Sequence, residues 1–106
     1  MIKFIIVEDE KEYQDIYKNI IDKIMFKNDN NYEIQTYERY TPKLKSVIKD
    51  QTDTKIYIMD IEIQGEKSGL DIGREIRKDD WDSEILFITN PVSYTHLRAH
   101  ETDSYL

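Results

Sequence analysis

No cysteine occurs in the chain, which excludes disulfides and thiolate metal sites and fits a reducing cytoplasm. Positive charge is scarce and scattered: 15 Lys and Arg stand against 22 Asp and Glu, for a formal net charge of -7. Nucleic acids are gripped by clustered cations, so this stretch has no nucleic-acid face of its own. Long apolar runs are missing as well. The longest are a handful of residues, far short of the roughly 20 that cross a bilayer. The start at Met1-Ile2-Lys3 has no signal-peptide layout, and a soluble protein without a membrane partner is expected. Histidine is confined to His96 and His100. A chain of 106 residues has room for one small domain with a single core.

What is present is alternation. Phe4-Ile5-Ile6-Val7 is a continuous apolar run ending in Glu8-Asp9-Glu10, as suits a strand buried on both faces of a parallel sheet. From Lys11 to Phe26, the residues Ile16, Tyr17, Ile20, Ile21, Ile24 and Met25 recur at helical steps and predict one apolar stripe. Tyr32 to Tyr37 reads as a second strand. Thr41-Pro42 reads as the N-cap and first turn of a short helix carrying Leu44, Val47 and Ile48. Ile56 to Met59 makes a third strand that ends at Asp60. A loop with Gly65 and Gly69 follows, then a helix from about Leu70 to Lys78 with Leu70, Ile72 and Ile76 inward, then a fourth strand over Ile85 to Ile88. This order predicts an α/β fold with a doubly wound parallel sheet. In such sheets the chemistry collects beyond the carboxyl ends of the strands. Glu8, Asp9, Asp60 and Thr89 all fall there.

Carboxylates gathered at one sheet edge repel one another unless a cation sits among them. Magnesium suits such a place, because it prefers oxygen ligands and is commonly held by one or two carboxylates with water and a phosphate. Asp9 and Asp60 would ligate it directly and Glu8 through water. Asp60 could then attack a phosphoryl group in line, in a displacement promoted mostly by positioning and electrostatics.

The segments Val7-Glu8-Asp9-Glu10, Met59-Asp60-Ile61-Glu62 and Phe87-Ile88-Thr89-Asn90 resemble the signature of bacterial response-regulator receiver domains. The Asp-Ile-Glu form and Gly69 to Arg77 are most similar to receivers of the LytTR class. The resemblance covers nearly all of residues 1–90. It implies a flavodoxin-like sheet with strand order 2-1-3-4-5, Asp60 as phosphoacceptor, and Mg2+ held by Glu8, Asp9, Asp60 and the backbone carbonyl of Glu62. Thr89 would be the switch hydroxyl. The implied phosphoryl donor is a sensor histidine kinase. Homodimerisation on phosphorylation in a full-length protein, and DNA binding only through a separate output domain, are implied as well. It does not imply a turnover enzyme. The receiver lysine after a fifth strand does not appear in the chain, so the sheet is expected to stop after strand four with an uncovered edge and exposed core.

From Pro91 onward the alternation ends. Val92 to Thr102 closely resembles one reading frame through the transposon-end adapter of tagmentation sequencing libraries. Residues 91–106 are therefore expected to be a non-native or unstructured tail, and the i, i+4 pair His96 and His100 to have no zinc-binding role.

Blander roles stand beside these. Asp9 with Glu12 would make a capping arrangement for the first helix. Tyr37, Tyr40 and Tyr57 read as packing residues with hydroxyls reaching water, Trp81 as a cover between the third helix and fourth strand, and Lys78-Asp79-Asp80 as a solvated helix end. Gly65 and Gly69 serve the turn. Two other functions compete with the phosphoacceptor. One is a receiver-like interaction module that is never phosphorylated. The other is a phosphohydrolase with Glu62 as general acid, for which the Asp-x-Asp-x-Thr pattern lacks its second Asp and its Thr.

Overall fold

The structure, a computed structural model, describes residues 1–27, 31–63 and 65–88. Its middle layer is a sheet of four parallel strands, β1 (Ile2–Val7), β2 (Tyr32–Tyr37), β3 (Thr54–Asp60) and β4 (Glu84–Ile88), in the order β2-β1-β3-β4. Helices α1 (Lys11–Phe26), α2 (Pro42–Lys49) and α3 (Gly69–Asp79) connect them. The chain is thus α/β and wound in the expected order through strand four. The expected tail, 91–106, lies outside the described residues.

Alternate side chains of the central strands enter two cores. Ile5, Val7, Tyr57 and Met59 meet Leu44 and Ile48 of α2 and Ile72 and Ile76 of α3 on one face. Phe4, Ile6 and Ile58 meet Tyr17, Ile21 and Met25 of α1 on the other. Burying each such side chain contributes about 1.5–3 kcal/mol, which is why β1 and β3 read as unbroken apolar runs. Local signals fix the ends of the helices. The Thr41 hydroxyl accepts from the Leu44 N–H at 3.1 Å with Pro42 in the first turn. Ser68 and Asp71 form a capping box for α3 that the sequence reading passed over.

The α1 stripe divides. Tyr17, Ile21 and Met25 are buried, whereas Ile16, Ile20 and Ile24 are 42%, 50% and 59% exposed. Asp22, on the opposite flank of α1, accepts from the Tyr32 hydroxyl of β2 at 2.6 Å, so the isoleucine flank is turned toward β3 and β4. Among the described residues a single helix covers this face, and the sheet beneath it meets only one half of so wide a stripe. Leu70 is likewise 47% exposed rather than inward, and Trp81 is 74% exposed and covers no joint.

Asp80 is not a solvated helix end. Its carboxylate lies 3.0 Å from the Lys55 ammonium, with both side chains under 5% exposed, at 2% and 4%. Lys55 Nζ also donates to the carbonyls of Val47, Ile48 and Asp50 at the end of α2. The Tyr57 hydroxyl, expected to reach water, donates instead to Asp80 Oδ2 at 2.9 Å. This polar knot ties α2, β3 and α3 together at the end of the sheet away from the acids.

Candidate metal-binding acidic site

Val7 and Met59 are register partners on adjacent parallel strands, so the residues that follow them, Glu8 and Asp60, emerge side by side at the carboxyl edge of the sheet. Asp9 comes one residue later. Carboxylate oxygens of Glu8, Asp9 and Asp60 lie within 4.8 Å of one another. Glu8 and Asp60 are only 1% and 4% exposed, and Asp9 is half-buried.

The backbone around Glu8 is held from three directions. Its N–H donates to the Tyr37 carbonyl at 2.9 Å, its carbonyl accepts from Gln14 Nε2 at 2.7 Å, and its Oε2 accepts from the Glu10 N–H at 3.0 Å. Gln14 is a buried polar residue that the sequence reading missed. A lone glutamine on an amphipathic helix carries no signal until its neighbour's carbonyl is known. On the other side of the site, the Glu62 N–H donates to Asp60 Oδ1 at 3.0 Å. The Glu62 side chain is exposed, so what this residue gives the site directly is its backbone. The capping role considered for Asp9 fails: the N-cap of α1 is Glu10, with no side-chain cap bond, which leaves the Asp9 carboxylate to the cluster.

Packing also shapes the floor. Gly65 has a φ of +132°, a backbone angle that L side chains rarely adopt. Gly69 is needed for a different reason from the turn. A Cβ there would run into the carbonyl oxygen of Asp60, so the first turn of α3 can rest on the end of β3 only with glycine at this position.

The electrostatics are those of acids crowded together out of water. Burial pushes the Glu8 carboxyl up to about 7, helped by its hydrogen bond with Asp9 and by the charges of Asp60 and Asp9, and opposed by the Glu10 N–H. Asp60 is also raised, first by burial and then by the charges of Asp9 and Glu62, against the Glu62 and Ile61 N–H groups. Tyr17 is pushed up to about 12 by burial and by the charges of Glu8 and Asp60, which places its phenol in the field of the site. Anionic groups so disposed supply the oxygen donors that a hard divalent cation takes. The cluster is a site that can hold a metal ion. Of the residues singled out from sequence, Glu8, Asp9 and Asp60 come together, Glu62 borders them, and Thr89 lies outside the described residues. No family model matches the chain, and no curated protein matches it.

Proposed function

We propose that residues 1–90 are the phosphoacceptor part of a response-regulator receiver, with Asp60 taking a phosphoryl group from a sensor histidine kinase in the cytoplasm. The observation that carries the proposal is the convergence of Glu8, Asp9 and Asp60, two of them almost wholly buried, at the carboxyl edge of a parallel sheet. Two buried acids and a half-buried one gathered at one edge serve no packing purpose. Their donor set fits Mg2+, which Asp9 and Asp60 would hold directly and Glu8 through water, with the backbone carbonyl of Glu62 completing the set. Such an ion would supply charge neutralisation for the phosphoryl oxygens.

The rest belongs to the chain. Gln14 and the Tyr37 carbonyl fix the Glu8 backbone, and the Glu62 N–H orients the Asp60 carboxylate. An Asp60 oxygen attacks phosphorus in line. A P–O bond forms as the donor's P–N bond breaks, the electron pair stays on the donor imidazole nitrogen, and Asp60 becomes an acyl phosphate. Any control of transcription would run through a separate DNA-binding output domain.

Intact mass after incubation with magnesium and acetyl phosphate tests the proposal directly. One phosphoryl addition is expected, lost in Asp60→Asn and strongly reduced in Asp9→Asn. If the folded chain gains no mass under conditions that modify a control receiver, the phosphoacceptor reading fails and the docking module replaces it.

A further inference from the structure

We infer that Gln14 is a positioning residue for the cation: it sets the affinity of the acidic site for Mg2+ by fixing the peptide that joins Glu8 to Asp9. The inference rests on the metal reading of the site given above. Gln14 lies on α1 with Tyr17, Ile21 and Met25, and all four are buried. Their spacing makes one stripe facing the sheet, so packing alone calls for an apolar side chain at its first position. An amide stands there instead, 6% exposed. Burying an amide is unfavourable unless its hydrogen bonds are made. The bond that Gln14 makes is to the acid loop, where its Nε2 donates to the Glu8 carbonyl at 2.7 Å.

What that bond holds follows from the planarity of the peptide. The Glu8 carbonyl and the Asp9 N–H belong to one rigid plane, so fixing the carbonyl also fixes the direction in which the chain enters Asp9. Both residues lie between β1 and α1, outside either element. The sheet holds the near side of Glu8, through its N–H on the Tyr37 carbonyl, and Gln14 holds the far side.

Asp9 depends on this more than its neighbours do. One oxygen of Glu8 is held by the Glu10 N–H, and one oxygen of Asp60 by the Glu62 N–H. Among the described residues no N–H donor holds the Asp9 carboxylate, which is also the least buried of the three. Its aim is therefore set by its main chain. A ligand that must be ordered as the ion arrives weakens binding, and one aimed beforehand does not. Mg2+ demands near-octahedral geometry, so a misdirected Asp9 is felt in the affinity.

Calorimetric titration of the full chain with magnesium chloride tests this, alongside urea unfolding of the same variants without magnesium. Gln14→Met keeps the length of the side chain but has no N–H to donate, and should weaken Mg2+ binding by about tenfold or more. Gln14→Asn, one methylene short of the carbonyl, should show the same loss. Tyr57→Phe removes a buried hydrogen bond at the opposite end of the sheet, and should lower the urea midpoint while leaving the Mg2+ affinity unchanged. The titration needs no phosphodonor, so it decides the role of Gln14 whether or not Asp60 is ever modified. Position 14 variants that bind Mg2+ as tightly as the parent, or a Tyr57→Phe chain that loses affinity to the same extent, overturn the inference and leave the phosphoacceptor reading in place. A parent chain that binds no Mg2+ overturns the metal reading and this inference with it.

Discussion

At the scale of single residues, Lys55 carries more of the fold than any surface charge. It satisfies three carbonyls at the end of α2 and one buried carboxylate at the C-cap of α3. Lys55→Met is expected to destabilise the chain by about 3–5 kcal/mol in urea unfolding, because Asp80 would be left buried and unpaired. Asp80 also sets a pH dependence. Burial raises its carboxyl, but hydrogen bonds from Ser83, Lys55 and Tyr57 and the Lys55 charge outweigh that and hold it below its ordinary 3.8. A depressed carboxyl stabilises the fold above its unfolded value, and that contribution is lost as pH falls through the folded one. The stability gap between the parent chain and Asp80→Asn should therefore be full at neutral pH and shrink as pH drops below 3.8, followed by urea midpoints through the acid range. None of this was legible in the sequence. Lys55 and Asp80 are joined only once α2, β3 and α3 have packed, and an acid after Lys78-Asp79 looks like any frayed helix end. Glu62 offers a further test on the proposed chemistry. Two residues beyond Asp60 and exposed, it borders the approach of water, so Glu62→Ala should change the decay rate of phospho-Asp60, and an unaltered half-life would strip it of that role.

At the scale of elements, α1 and α3 show what periodicity can and cannot tell. The bounds of α1 follow from its helical repeat, but a stripe of six apolar residues does not say which half meets the sheet. Ile20→Lys should leave the urea midpoint within about 0.5 kcal/mol of the parent chain, whereas Ile21→Lys, one residue on and 4% exposed, should abolish folding. The glycines of α3 make a second pair. At Gly69 an added methyl meets the Asp60 backbone, which cannot yield without moving the acid itself, and Gly69→Ala should cost about 1–3 kcal/mol. At Gly73 it meets the Phe87 ring tip at 2.8 Å, and that ring, 42% exposed, can swing outward. The gain in helix propensity of up to about 1 kcal/mol then offsets much of the strain, so thermal melts should rank Gly73→Ala well above Gly69→Ala. The acids were legible because strand ends in a parallel sheet lie together whatever the loops do. Gln14 and Leu70 were not, since each depends on how a helix is rotated, whereas the Ser68-x-x-Asp71 cap stood in the sequence and was passed over.

For the whole molecule, the uneven dressing of the sheet dominates. Among the described residues two helices cover one face and one covers the other, and Ile16, Ile20 and Leu86 are exposed on the less covered side. Trp81, meanwhile, is the chain's one indole and stands 74% exposed in the native fold. Its emission is expected to be that of an indole in water, with little change of environment on adding denaturant. A fluorescence titration would return a nearly flat line whether the protein is folding or not, and far-ultraviolet dichroism is the optical probe that can see the transition.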